Sequence, residues 1–313
     1  MKTVVLFLIF KGTPAWLGSR KFITSFSQYQ PVPFSGVRPK RISPQNPIPP
    51  SSFFVRNMLF YKYLWAIDLP AIQRRLKLMK LSKILERLEY TCLQGTLDQE
   101  IEEVVADSRK AKEGSLFICI RGAVVDGHTF AKSVAGQGTK AIIVEEPVEV
   151  PEDVTVIQVK DSRYAMALVA AAYYDYPGDK LRVIGITGTK GKTTTTYMVK
   201  SILENAGYKV GLIGTIETII GDTVIPSANT TPESLLVQKY LRQMLDEGCD
   251  CAVMEVSSQG LMLHRTAGFT FDIGIFTNIE PDHIGPNEHT SFEHYLSCKK
   301  MLLRQCRIGI VNR

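Results

Sequence analysis

The sequence predicts an α/β protein: a small N-terminal α/β domain, then a mostly parallel sheet that carries a phosphate-binding loop and is incomplete at its end. Three observations predict this. From Leu181 onward, short apolar runs alternate with segments of helical period. Two of the runs, Cys251 to Val256 and Phe271 to Thr277, are nearly all apolar, as strands covered on both faces are. A Gly-rich stretch, Thr187 to Thr194, stands between a strand and a helix.

The chain has 313 residues, which leads one to expect two domains. Its net charge of +6 would suit a polyanion partner, but position removes that reading. Of the 37 basic and 31 acidic residues, 12 and one fall within 1–78, which leaves 25 and 30 for 79–313. The basic surplus therefore belongs to one end, and no nucleic-acid partner is expected. That end also holds nine of the 16 prolines and shows no sustained periodicity before Phe53, so 1–78 reads as an unfolded or weakly ordered basic extension. A mis-started upstream segment, an organelle transit leader and an authentic tail are its three readings, with Met79 a natural second start. The apolar stretch Thr3 to Phe10 is too short to span a bilayer, and Arg56 and Lys62 interrupt Phe53 to Ile67, which leaves a peripheral amphipathic helix there.

The regular pattern begins at Leu81. Leu81, Ile84, Leu85 and Leu88 share one helical face; Ile101 to Ala106, Leu116 to Ile120, Ala141 to Val144 and Val154 to Val159 read as strands, and Ser162 to Tyr174 as an Ala-rich helix. Tyr176-Pro177-Gly178-Asp179 is turn chemistry and marks a boundary, giving domains at 79–179 and 180–313. Beyond it come a strand (Leu181 to Thr187), a helix (Thr193 to Ala206), a strand (Lys209 to Ile213), a polar excursion and a helix (Pro232 to Glu247). The two apolar strands follow, then a helix from Ser291 to Gln305 and a strand from Ile308 to Val311. A sheet domain that stops on a strand with no covering helix reads as truncated. The six cysteines form no C-x-x-C pair, and Cys249-Asp250-Cys251 finds no second half of a tetrahedral metal set, so they read as buried free thiols of a reducing compartment.

The chemistry concentrates in three places. In Thr187-Gly188-Thr189-Lys190-Gly191-Lys192-Thr193-Thr194 the glycines let backbone amides turn toward phosphate oxygens, and the helix that follows presents its positive end. Lys192 can reach the β and γ phosphates, and the Thr193 hydroxyl can ligate Mg²⁺. The usual pattern places Gly five residues before Gly191; here Ile186 stands there and Gly188 serves instead. Glu255 ends a strand at the carboxyl edge of the sheet, where ligands of open α/β sheets collect and one carboxylate suits Mg²⁺. Thr277-Asn278 and Pro281-Asp282-His283 bring a second polar cluster to the same edge.

Together with Asn229-Thr230-Thr231-Pro232, the stretches Thr187 to Thr194, Met254 to Leu261 (M-E-V-S-S-Q-G-L) and Thr277 to His283 (T-N-I-E-P-D-H) resemble the Mur ligases. Asp107-Ser108-Arg109, Leu116-Phe117 and Asp126-Gly127-His128 resemble that family's nucleotide-sugar-binding domain, so the likeness runs from about Met79 to Asn312. It implies a UDP-sugar-binding domain at 79–179 and a central ATP-binding domain at 180–313. It also implies a cytoplasmic, monomeric, ATP- and Mg²⁺-dependent ligase of peptidoglycan synthesis that forms carbon–nitrogen bonds. The nearest members join a diamino acid, meso-diaminopimelate or L-lysine, to UDP-MurNAc-L-Ala-D-Glu through an acyl phosphate. Another ligase of the Mur or folylpolyglutamate type, or a non-catalytic nucleotide-binding homologue, is the alternative.

By this likeness Gly188, Thr189, Lys190, Gly191, Lys192, Thr193 and Thr194 bind ATP, and Thr193 and Glu255 share the first Mg²⁺. His283 matches the ligand of a second Mg²⁺, and Lys299 falls where the family has a carbamylated lysine, in preference to Lys300. Lys192, Lys299 and His283 are thus the catalytic set. Ser108 matches a uridine-diphosphate contact; Thr230, Thr231, Ser257 and Arg265 match contacts to the muramoyl dipeptide, with Arg265 suited to pair with phosphate or carboxylate. Gln259 and Glu280 depart from the family's usual residues and put fine substrate geometry in doubt. His289 and His294 are expected at the surface without a role. The family's third, C-terminal domain is expected to be missing from this sequence, so the chain alone is expected to bind ligands weakly and not to complete ligation.

Overall fold

The computed structural model describes residues 78–122, 125–285 and 288–312. The expectations for the basic extension, including Phe53 to Ile67, lie outside the described residues. The described residues belong to one compact unit that contains two larger sheets.

A short strand β1 (Met79–Lys80) leads into one helical turn, α1 (Leu81–Ile84). Leu81, Ile84 and Leu85 are buried on the shared face that their spacing predicts, with Leu88 packed beside them. Strands β2 (Thr91–Gln94), β3 (Glu100–Ile101) and β4 (Glu103–Val105) follow. The expected single strand from Ile101 to Ala106 is divided at Glu102. Its first part pairs antiparallel with β1, its second joins the next sheet, and the Glu102 amide between them donates to Gly114 O at 2.9 Å. After β5 (Ser115–Ile118), α2 (Ala131–Ala135), β6 (Ala141–Val144) and β7 (Thr155–Gln158), the sheet order is β2-β7-β6-β5-β4, parallel except for β2. The helix α3 (Ser162–Tyr173) covers one face with Ala165, Met166 and Val169 against Ile118, Ile143 and Ile157. Its first turn is capped by Asp161, whose carboxylate accepts from Tyr164 N at 2.9 Å.

The segment Tyr176-Pro177-Gly178-Asp179, expected as a boundary, is built differently from a glycine turn. Asp175 and Tyr176 take the left-handed conformation, with φ of 62° and 50°, and Pro177 then opens a short helix, α4 (Pro177–Lys180). The strained Tyr176 is held from α1's exit: its hydroxyl donates to Glu86 Oε1 at 2.7 Å, and Arg87 lies 3.7 Å over its ring. Gly178 is needed for space, since a Cβ there would lie 2.5 Å from Phe269 Cβ.

The second sheet begins with β8 (Arg182–Thr187), followed by α5 (Lys192–Asn205) and β9 (Val210–Ile213). The segment expected as a polar excursion is a hairpin, β10 (Glu217–Ile220) and β11 (Thr223–Pro226), closed by Gly221-Asp222 with Ile220 opposite Thr223. Gly221, at φ 55°, supplies the positive φ that a two-residue hairpin loop requires. Next come α6 (Ser234–Asp246), β12 (Cys251–Glu255), a one-turn helix α7 (Ser258–Met262) that periodicity does not reveal, β13 (Phe271–Phe276), α8 (Phe292–Arg304) and β14 (Cys306–Val311).

The strand order is β11-β10-β9-β12-β8-β13-β14, with the last five of these parallel. On one face Val237, Leu241 and Met244 of α6 and Leu302 of α8 pack on Ala252, Met254 and Phe271. On the other, Val199 and Leu203 of α5 meet Ile184, Ile186, Val210 and Val253. Both faces are covered, as the continuous apolar strands require. Among the described residues no helix is long and apolar enough to cross a membrane. Five cysteines are buried and in no disulfide; Cys92, on the edge strand β2, is exposed and departs from the expectation of burial.

Candidate functional site

Strands β8, β12 and β13 run side by side and end together, so the loops after them share one edge. The loop after β8 turns through Gly188, at φ 150°, and Gly191, at φ 78°, before Lys192 starts α5. Its shape is held by the exit of β13. Thr189 N donates to Asn278 O at 3.1 Å, Lys190 N to Asn278 Oδ1 at 2.9 Å, and Asn278 Nδ2 and Thr277 Oγ1 both donate to Lys190 O, at 3.0 and 2.9 Å. Glu280, the departure noted in the sequence, pairs with Lys190 Nζ at 2.6 Å. This clasp is a positioning device that sequence reasoning missed, because it joins residues some 90 positions apart.

Lys192 folds back over the loop, and its Nζ donates to Gly188 O and Thr189 O at 3.1 Å each. Burial lowers its pKa. Lys299 reaches the same place from α8: it is 1% exposed, and its Nζ donates to Gly188 O at 2.8 Å. The Gly188 carbonyl thus accepts from both lysines. Burial, reinforced by the charge of Lys192, pushes the Lys299 amine down to about 7. Between pH 7 and its ordinary value of 10.5 the folded chain therefore holds fewer protons here than the unfolded chain, so stability rises with pH across that window. In carbonate-free buffer, urea unfolding is expected to show the wild type gaining on Lys299→Met as pH goes from about 7 to 9. A pH-independent difference between the two would refute the depressed amine.

Glu255, at the end of β12, is fully buried. Its Oε2 accepts from Thr193 Oγ1 at 3.0 Å, its Oε1 from Thr215 N at 2.9 Å, and the Thr215 hydroxyl lies 3.0 Å from both Glu255 Oε2 and Thr230 Oγ1. The donors gathered here at the N-terminus of α5 are all oxygens, a set that fits Mg²⁺. Thr215, just beyond β9, was not anticipated by the motifs.

Next to this group Thr231 Oγ1 donates to Glu255 O at 3.1 Å and accepts from Ser257 N at 2.9 Å. The Ser257 hydroxyl caps α7 by accepting from Gly260 N at 2.9 Å. Lys192, Thr230, Thr231, Ser257, Arg265, His283 and Lys299 all line one cleft, joined by Gln259, Glu288 and His289. Lys299 lines it and Lys300 does not. His283 takes a left-handed φ of 55° and contacts Glu288 Oε1 through Nδ1 at 3.0 Å. Such a conformation in a non-glycine residue persists where surrounding contacts hold it.

Ser108 does not line this cleft; it lies in a 3₁₀ turn (Ser108–Lys110) after β4. Asp107 shapes that turn, accepting from Arg109 N at 3.1 Å, Nε at 2.9 Å and Nη2 at 2.8 Å, and the guanidinium holds its carboxyl at about 2. Asp126 does similar work for His128, whose Nε2 accepts from Glu145 N at 2.9 Å. That contact requires the proton on Nδ1, which then donates to Asp126 Oδ1 at 2.6 Å.

The expectation that His289 sits at the surface is wrong. It is fully buried, its Nε2 is 2.8 Å from Ser258 Oγ, and its Nδ1 has no hydrogen-bond partner among the described residues. The loop from Pro281 folds back through His289 N to His283 O at 3.0 Å, which carries the ring inward. His294 is half-buried, with its ring 5.1 Å from that of His289. One ligand atom from each of His289, His294 and Cys298 falls within 4.8 Å of the others. Among the described residues no such grouping forms around Cys249-Asp250-Cys251.

Comparison with known proteins yields two family matches: the Mur ligase middle domain over residues 186–313, and the Mur ligase family, catalytic domain, over residues 100–174. A curated relative, UDP-N-acetylmuramoyl-L-alanyl-D-glutamate–2,6-diaminopimelate ligase of Clostridium tetani, is 46% identical over 237 residues, covering 75% of this chain and 48% of the relative. The protein of the same name from Bacillus licheniformis is 45% identical over 228 residues, covering 72% and 46%. The chain thus spans about half the length of the curated relatives it matches. Among solved structures, a UDP-N-acetylmuramoyl-L-alanyl-D-glutamate–2,6-diaminopimelate ligase superposes with a TM-score of 0.63 at 23% identity, covering 75% of this chain and 47% of the other. MurF from Acinetobacter baumannii gives 0.52 at 22% identity, covering 74% and 47%. At such identities these two likenesses speak for the fold alone.

Proposed function

The chain belongs to the Mur ligase family, and from that premise we propose that it binds ATP and UDP-MurNAc-L-Ala-D-Glu in adjoining sites. There it activates the free glutamyl carboxylate for ligation to 2,6-diaminopimelate. The observation that carries the reading is the meeting of Lys192, Lys299 and Arg265 in one cleft beside a clasped phosphate-binding loop. The choice of diaminopimelate follows the names of the relatives at 42–46% identity.

In this reading residues 79–179 hold the uridine diphosphate, with Ser108 as a contact, and residues 180–313 hold ATP and the dipeptide end. A carboxylate oxygen attacks the γ-phosphorus and ADP leaves. The amine then attacks the acyl carbon, the C–O bond to phosphate breaks, and the nitrogen loses a proton. Dividing the reaction in this way replaces a poor leaving group with a good one. The amides of Gly188 to Thr194 and the Lys192 ammonium bind the triphosphate and offset charge on the transferring group. Thr193 and Glu255 would hold one Mg²⁺, and His283 with a carbamylated Lys299 a second; bound there, the ions would supply further positive charge to the phosphates. The lowered pKa of Lys299 leaves a large fraction of neutral amine at pH 7, the form that carbon dioxide can carbamylate. Thr230, Thr231, Ser257 and Arg265 orient the dipeptide. The same reading makes the protein a cytoplasmic monomer.

Calorimetric titration separates this acceptor from its neighbours. UDP-MurNAc-L-Ala-D-Glu is expected to bind about tenfold or more tightly than UDP-MurNAc-L-Ala, the worth of one charge-assisted contact. Equal affinities would remove the dipeptide from the proposal.

A further inference from the structure

Arg265 is anchored by the segment that leads into α6. Its side chain is 14% exposed; Nη1 donates to Thr231 O at 3.0 Å and Nη2 to Glu233 Oε1 at 2.5 Å. Both acceptors belong to the tripeptide Thr231-Pro232-Glu233, in which Thr231 and Pro232 are buried and the proline ring fixes φ. Nε is buried without a hydrogen-bond partner among the described residues, although Arg265 lines the cleft. On its far side Glu233 faces a second guanidinium: Oε2 is 3.7 Å from Arg163 Nη1, on α3 of the first sheet's layer. Glu233 therefore stands between two arginines, and the trio keeps one net positive charge. Its carboxylate does not cancel the attraction of the cleft for an anion.

We infer that Glu233 is a positioning residue: it fixes the Arg265 guanidinium at the wall of the cleft so that its positive charge is held toward an anionic group of the acceptor substrate. The inference rests on the acceptor site proposed above and assigns to it a residue that the family motifs did not single out. An unanchored arginine must lose rotamer freedom when it grips a ligand, whereas one pinned at both terminal nitrogens has lost it on folding. The side chain of Glu233 is 42% exposed, so the ion pair contributes little to stability, and its effect is expected in binding. Arg163 links this anchoring to the layer that carries Ser108, so both ends of a UDP-muramoyl ligand meet elements joined through Glu233.

The test is a double-mutant cycle read by calorimetric binding of UDP-MurNAc-L-Ala-D-Glu, with an ATP analogue titrated in parallel as a control. Arg265→Ala is expected to weaken the acceptor about 10- to 100-fold. Glu233→Ala is expected to weaken it about tenfold, and Glu233→Gln, which keeps an oxygen for Nη2, to return it to within about threefold of wild type. In the Arg265→Ala background Glu233→Ala is expected to cost nothing more, a non-additivity that a residue acting only on the fold would not produce. Nucleotide affinity is expected to stay unchanged throughout. Additive losses, or a Glu233→Ala variant that binds as wild type while Arg265→Ala does not, would overturn the inference alone. Failure of the wild type to bind the acceptor would overturn the proposed site, and the inference with it.

Discussion

Lys192→Ala is expected to lower affinity for a magnesium-bound, non-hydrolysable ATP analogue by about 10²- to 10³-fold, the scale on which a single buried cationic or dipolar donor acts in such sites. The residue is half-buried and its ammonium already lies against the carbonyls of Gly188 and Thr189, within the loop that would surround the phosphates. Its pKa is lowered by burial, so the folded protein bears the cost of keeping a cation there. Phosphate oxygens would offset that cost, and alanine would remove both the cost and the ligand contact. Fluorescence titration with a labelled analogue measures the change. An affinity within about threefold of wild type would mean that the loop is a structural turn.

Gly188→Ala is expected to have an effect of similar size by a different route. A Cβ at this position would lie 2.0 Å from Thr277 Oγ1, and the backbone φ of 150° is one that side chains rarely adopt. Either the loop moves or Thr277 gives up its contacts to Thr187 O and Lys190 O, and with them the clasp from β13. A cost of about 2–3 kcal/mol in stability together with loss of nucleotide binding is expected. Gly191→Ala is the comparison, because its φ of 78° is also left-handed but no atom lies within 4 Å of the added Cβ. That variant is expected to lose only about 1–2 kcal/mol and to fold normally. Equal unfolding midpoints for the two alanine variants would contradict the crowding assigned to Gly188.

The contrast between these glycines shows where the sequence was informative and where it was not. The pattern Gly188 to Thr194 announces a tight turn between a strand and a helix N-terminus because local chemistry alone dictates them. It says nothing of Thr277 and Asn278 holding that loop, since their approach depends on β13 pairing with β8. Continuous apolar strands such as Cys251 to Glu255 were legible because burial on both faces leaves no alternation to interpret. The β10–β11 hairpin was not read, because its Thr and Glu residues resemble a loop in composition; the signal available was Gly221-Asp222 between two β-branched runs. Ile101 to Ala106 was read as one strand because hydrophobicity does not record that successive residues can serve different sheets. His289 was misplaced for a related reason. A histidine between Glu288 and Thr290 has polar sequence neighbours, and only the fold-back of its loop puts the ring beside Ser258 and Tyr295.

Lys299 and Arg265 stand between these cases. Family likeness pointed to both, but a lysine on a helix and an arginine after one are ordinarily solvated. Their meaning comes from burial and partners: one amine against the Gly188 carbonyl, and one guanidinium pinned between Thr231 and Glu233.

Activation of a carboxylate by ATP in this cleft is measured most directly by trapping the activated species. The chain would be incubated with MgATP, UDP-MurNAc-L-Ala-D-Glu and hydroxylamine, and the products examined by mass spectrometry. The predicted result is a hydroxamate of the UDP-muramoyl dipeptide that requires ATP and is lost in Lys192→Ala. Binding of both substrates without any hydroxamate, or a hydroxamate that persists undiminished in Lys192→Ala, would contradict it.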